Sequence, residues 1–235
     1  MGQFPATRHS MVAAMQSGRT DLRQSAFDAL VRGYWKAVFK YVRLKWRESP
    51  DRAADLTQSF FLRAFEKDFF ATFDPAHKRF RTFLRTCLDR FVANARQADG
   101  RLKRGGGVTL VPIDLPEAER ELEQQAIGAV TDFDAFFQRE WLRSLFAEAA
   151  ARLREACAAR GRPHRFALFE QYDLSDEGDR PSYAILARQF GLSATDVTNE
   201  LAAARREFRR LVIAALREQC ATDEEFAAEV RALGG

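Results

Sequence analysis

Apolar residues along this chain return every three or four positions almost from end to end, and no stretch alternates apolar and polar for long. That period is the signature of amphipathic helices, so the chain is expected to be all-α. Phe27, Leu30, Val31, Tyr34, Trp35, Val38 and Val42 form one stripe. Phe80, Phe83, Leu84, Cys87, Leu88, Phe91, Val92 and Ala95 form another. Between them a shorter helix starts at Ser49-Pro50-Asp51, with Ser49 as cap and Pro50 in the first turn, and runs through Ala53, Leu56, Phe60 and Ala64. Three such helices bury their stripes against one another, which predicts a bundle ending near Gln97.

The triplet Gly105-Gly106-Gly107 ends helix formation. Pro112, Pro116 and a run of acids follow, so residues 105–138 read as a flexible acidic linker with one short helix near Glu117–Ala126. Helical pattern resumes at Leu142, Leu145, Phe146, Ala149, Leu153 and Ala156, breaks at Gly161-Arg162-Pro163, and returns over Phe166–Tyr172 before a polar loop at Ser175–Asp179. At 235 residues the chain accommodates two small helical domains, expected at 1–104 and 139–235. Charge divides the same way. Residues 1–110 hold 21 Lys and Arg against 10 Asp and Glu, and residues 111–140 hold 2 against 8. A basic front joined to an acidic middle suggests a polyanion-binding domain and a solvated tether.

Cys87, Cys157 and Cys220 are far apart and lack any CxxC or Cys/His ligand spacing, which favours small apolar core residues over a metal or redox site. His9, His77 and His164 are scattered. No acid–base–nucleophile set, phosphate loop or metal signature is present, so neither catalysis nor a cofactor is expected. Without an apolar leader or a run of eighteen apolar residues, a soluble, cytoplasmic protein with no membrane partner is expected.

Residues 182–210, SYAILARQFGLSATDVTNELAAARREFRR, carry the most specific local signal. A helix to Phe190 meets Gly191, and Ser193 caps a second helix with Asp196 in capping-box position. Ala187 lets the helices cross closely, Gly191 tolerates a positive φ, and Val197 packs in the angle between them, as a helix-turn-helix requires. The second helix buries Val197, Leu201, Ala204 and Phe208. Its outer face offers Ser193, Thr195, Asp196, Thr198 and Asn199 for base edges, then Arg205, Arg206 and Arg209 for phosphates.

Three segments in order resemble the extracytoplasmic-function family of bacterial RNA polymerase sigma factors. Residues 53–66, AADLTQSFFLRAFE, are similar to the polymerase-binding helix of sigma region 2. Residues 79–107, RFRTFLRTCLDRFVANARQADGRLKRGGG, are similar to the segment that melts and reads the minus-ten element. The helix-turn-helix stands where region 4, reader of the minus-thirty-five element, belongs. The opening from Phe4-Pro5-Ala6-Thr7-Arg8 through Tyr34-Trp35 resembles a longer subgroup often linked to serine/threonine kinases. The resemblance implies RNA polymerase core enzyme and promoter DNA as partners, with a kinase or an anti-sigma protein as regulator. It places Asp55, Gln58, Phe61 and Arg63 against the polymerase. It places Phe73, His77, Lys78, Arg79 and Arg81 around an unpaired base, and Asn94, Arg96, Arg101, Lys103 and Arg104 on adjoining DNA, where stacking and phosphate attraction would hold the strand.

Two departures from the family stand out. The acidic cluster Asp-Ala-Glu-Asp reads Arg52-Ala53-Ala54-Asp55 here, which weakens docking on a basic surface; phosphorylation at Thr57 or Ser59 is one hypothesis for restoring the charge. Glu200 and Ala203 stand where relatives carry arginines, which shifts phosphate anchoring to Arg205, Arg206, Arg209 and Arg210. The tail after Leu211 extends the last helix and restarts after Thr222 with Glu225 in capping-box position; it is expected to fold back on its own domain, with regulation by covering region 4 or meeting a partner as the alternative. A dimeric helix-turn-helix regulator that does not bind polymerase is the alternative reading, and a sigma mimic without DNA affinity a third.

Overall fold

The computed structural model describes residues 19–67, 69–74, 79–98, 114–124, 130–220 and 222–233. These residues form α-helices and short 3-10 turns and no strand, so the fold is all-α. In chain order the helices are α1 (Thr20–Lys45), α2 (Pro50–Glu66), α3 (Phe80–Gln97), α4 (Leu115–Gln124), α5 (Phe133–Ala159), α6 (Pro163–Asp173), α7 (Tyr183–Phe190), α8 (Ala194–Gln219) and α9 (Asp223–Leu233). Local chemistry fixes several starts. Ser49 Oγ accepts the Arg52 N–H at 3.3 Å with Pro50 in the first turn of α2, Asp114 Oδ1 caps α4 through Glu117 N–H, and Asp132 Oδ1 caps α5 through Asp134 and Ala135.

The chain divides into two compact units: residues up to Ser144 with Leu216 onward, and Leu145–Ala215. The division falls inside α5 and α8, not at the expected boundaries of 104 and 139.

In the first unit α1 is buried on nearly every side from Gly33 to Val42. The sequence stripe accounts for one face of it. Ala37, Phe39, Lys40 and Tyr41 are buried as well. Tyr34 stacks near Phe137 and Trp141 of α5, and Phe27 meets Phe61 of α2 edge-on. Burial of a lysine is explained by its partners: Lys40 Nζ donates to Glu140 Oε2 at 2.6 Å and to Glu121 Oε2 at 2.8 Å, and Lys40 and Glu140 are each 1 % exposed. Around this pair Lys36 bridges Glu121 and Glu117, and Arg43 grips Glu119 at 2.6 Å. Thus α4, in the stretch expected to be a flexible linker, is a docked helix with Ala118 and Leu122 buried. Lys36, Lys40, Arg43 and Arg85 of the basic front are thus paired with acids of the middle. The Gly105–Gly107 break lies outside the described residues.

The tail also departs from expectation. From Leu216 on it belongs to the first unit, with Leu216 and Cys220 buried and Trp141 Nε1 donating to Gln219 Oε1 at 2.6 Å. Gln219 lies against Gly33: a Cβ there would come within 2.6 Å of the Gln219 amide.

Lys40→Met is expected to lower the unfolding free energy by about 3–5 kcal/mol, because it takes the Lys40 ammonium from Glu140 Oε2 and leaves the buried carboxylate with Arg143 on Oε1 alone. Lys40→Met with Glu140→Gln should recover most of that loss in urea denaturation. If the double variant is as unstable as the single, the loss does not come from the carboxylate that Lys40 leaves behind.

Candidate nucleic-acid interface

The second unit contains the helix-turn-helix in the expected register. Ser182 caps α7, Gly191 ends it at φ +64°, and Leu192 N–H returns to Ala187 O at 2.9 Å. Leu168, Leu186, Val197 and Leu201 form its core, with Ala187 and Phe190 packed against them. The capping box is complete: Asp196 N–H donates to Ser193 Oγ at 3.1 Å, while Asp196 Oδ2 accepts from the Ser193 hydroxyl at 2.6 Å and its N–H at 3.3 Å.

This geometry divides the residues expected on the minus-thirty-five face. Thr195, Thr198, Asn199, Arg206 and Arg209 are exposed on α8. Ser193 and Asp196 are exposed too, but their polar groups serve the cap. Arg205 does not have the free phosphate-anchoring role read from the sequence. Its Nε donates to both Asp173 carboxylate oxygens at 3.1 and 3.0 Å, and its guanidinium lies 5.4 Å from the Tyr172 ring centre. The hydrogen bond to Asp173 raises its pKa above the ordinary value, and the residue acts as a clamp between α6 and α8. Arg210 pairs with Glu207 one turn back. Glu200, unexpected in a recognition helix, accepts from Arg165 of α6 and lies 3.2 Å from Arg162. The Arg165 hydrogen bond holds its carboxyl below the ordinary 4.5. It ties α8 to α6.

In the first unit the expected minus-ten residues are equally divided. Phe73 is 5 % exposed, with its ring 5.3 Å from Phe80 and 5.2 Å from Phe83, so it belongs to the core and offers no stacking face. Arg81 is buried beside Glu229 and over the Trp141 ring, so it too is not free to receive DNA in this state. Arg79 is exposed and 3.1 Å from Glu229. Arg96 is engaged by Glu48 at 2.7 Å and lies over Trp46. Asn94 is exposed. His77, Lys78, Arg101, Lys103 and Arg104 lie outside the described residues.

On α2 the outward residues Asp55, Gln58 and Arg63 are exposed, as a docking face needs. Phe61 is a correction: at 0 % exposure it packs between Phe27 and Phe60 and faces no partner. Thr57 is a second correction. It is fully buried and its hydroxyl donates to Ala53 O at 2.7 Å, so a kinase has no access to it in this fold; Ser59 is exposed. A groove of about 760 Å³ runs between α2 and α3 and is lined by Arg52, Asp55, Ser59, Arg63, Arg90 and Asn94, among others. It brings Asp55, expected at the polymerase, and Asn94, expected on DNA, to one surface. Arg90 was missed by sequence reasoning, although it stands one helical turn before Asn94 on the same face.

No family model matches the chain, and neither a curated protein nor a solved structure is significantly similar to it.

Three outcomes follow for the second unit. Arg206→Ala and Arg209→Ala should each flatten the salt dependence of duplex DNA binding by about 0.9 log units per log unit of salt. Arg205→Ala should destabilise the unit and leave that slope unchanged. Glu200→Gln should cost stability near neutral pH. A carboxyl whose folded pKa is depressed contributes stability above its unfolded value and loses it as pH falls through the folded one. The gap between wild type and Glu200→Gln in thermal melts should therefore shrink as pH falls below the ordinary 4.5 and close in stronger acid. A gap that persists in acid would assign the loss to something other than the Glu200 charge.

Proposed function

We propose that the chain is a sigma factor of the extracytoplasmic-function type: it binds RNA polymerase core enzyme, directs it to promoters by two DNA elements, and stabilises the opened strand without catalysis of its own. The observation that carries this reading is the pairing, in one chain, of two surfaces with different tasks. One is a completed helix-turn-helix whose exposed Thr195, Thr198 and Asn199 suit base edges and whose Arg206 and Arg209 suit phosphates. The other is the α2–α3 groove, where an acid and exposed polar groups from a docking-type helix adjoin Asn94 and Arg90 of a strand-reading-type helix. A dimeric regulator needs the first surface and has no use for the second.

On this reading Asp55, Gln58 and Arg63 meet the polymerase, and Asn94 with Arg79 contributes to strand contact. The helix-turn-helix reads duplex DNA, and the site of action is the cytoplasm. Binding energy does the work: contacts made only to the opened strand lower the free energy of opening.

The reading is tested by co-purification with core polymerase and by run-off transcription from the DNA upstream of the protein's own coding sequence. Asp55→Arg should reduce polymerase retention about tenfold, equivalent to about 1.4 kcal/mol, while leaving duplex binding by the helix-turn-helix unchanged. A wild-type chain that binds DNA as a dimer and retains no polymerase would replace this proposal with the regulator.

A further inference from the structure

Helix α9 is held in an unusual way. The only side chain of α9 that is fully buried among the described residues is a carboxylate, Glu229, at 3 % exposure; its apolar residues Phe226, Val230 and Leu233 remain half-buried. Thr222 Oγ1 accepts the Glu225 N–H at 3.1 Å, which is half of a capping box. The Glu225 carboxylate reaches to the start of α3, where Oε1 accepts the Phe80 N–H at 2.7 Å. Arg79, the residue preceding α3, supplies no side-chain cap of its own. One turn further along α9, Glu229 Oε1 lies 2.6 Å from Arg81 and 3.1 Å from Arg79, yet it has no hydrogen bond of good geometry. The tail therefore places two carboxylates in a pocket made of a helix N-terminus and two guanidinium groups, an arrangement suited to an anion. Their local negative field is evident at Cys220, whose thiol is pushed up to about 12 first by burial and then by Glu225 and Glu229.

We propose that α9 is a displaceable lid on the strand-binding surface. Glu225 and Glu229 occupy the anion site of Phe80 N–H, Arg79 and Arg81, and a phosphate of single-stranded DNA takes that site when α9 leaves. The inference rests on the strand-reading role given above to the segment that begins at Arg79. Three features favour a lid over a fixed part of the core. Its deepest contact is ionic, and a buried ion pair contributes little net stability once desolvation is counted. That contact lacks aligned hydrogen bonds. A polyanion presents the same chemistry as the two glutamates and competes for the same cations. The closed tail thus holds the free protein in a state of low strand affinity.

The test is fluorescence anisotropy with a short fluorescein-labelled single-stranded DNA oligonucleotide and the full-length protein. A lid closed about nine-tenths of the time weakens binding about tenfold, so Glu225→Gln with Glu229→Gln should bind about tenfold more tightly than wild type. The charge-matched control Asp223→Asn with Glu224→Gln, altered on the exposed side of the same helix, should gain less than about threefold. Adding Arg79→Ala and Arg81→Ala to the first variant should abolish its gain. Equal gains in the two double variants would overturn the proposal. A second measurement needs no variant: in hydrogen exchange on wild type, amides of Asp223–Leu233 should lose protection when the oligonucleotide binds, and retained protection would also overturn it. Polymerase retention, measured on the same proteins, separates the two readings. Gain without retention keeps the lid and removes the sigma assignment; retention without gain does the reverse.

Discussion

A lysine sealed from water sets the plan of the first unit. Lys40 carries its charge into the centre of the molecule, and that state is tolerable only because Glu140 and Glu121 arrive from two other helices to meet it. The requirement is geometric as well as energetic. Both carboxylates must stay within hydrogen-bond reach, so α4 and the first turns of α5 are fixed to α1. Around that centre Lys36 and Arg43 extend the same pairing toward the surface, where each bridge contributes less.

This internal neutralisation changes what the charge distribution means. The basic front and acidic middle read from the sequence as a polyanion-binding domain and its tether; in the fold Glu117, Glu119, Glu121, Asp134 and Glu140 of the middle are held by Lys36, Lys40, Arg43 and Arg85 of the front. Among the described residues, Arg206 and Arg209 are exposed on α8, and Arg63 and Arg90 are exposed along the α2–α3 groove.

What could be read in advance was local. Gly191, Ser193, Asp196 and Val197 determine the helix-turn-helix within a dozen residues, and each acts there as its chemistry dictates. Thr57 was also legible: with Ala53, Leu56, Phe60 and Ala64 it shares the apolar stripe of α2, and its burial follows from that register. Arg205, Arg81 and Phe73 were not. Their roles depend on Asp173, Glu229 and Phe83, groups brought close only by tertiary packing, and a charged or aromatic side chain bears no mark of whether its partner lies inside the chain or outside it. The acidic segment was misjudged for the same reason, since its composition fits a solvated tether until Lys36, Lys40 and Arg43 are seen beside it.

Gly33 sits mid-helix, where glycine costs roughly 0.5–1 kcal/mol relative to alanine. The vacancy at its Cα is filled by the amide of Gln219, itself buried and anchored to the Trp141 indole, so the neighbour has little room to retreat. A methyl group at this position would act as a wedge between α1 and the chain's end. Glycine here is therefore a concession made to the tail. In any lineage that shortened the chain before Gln219 that concession would lapse, and alanine, the better helix former, would be free to replace it.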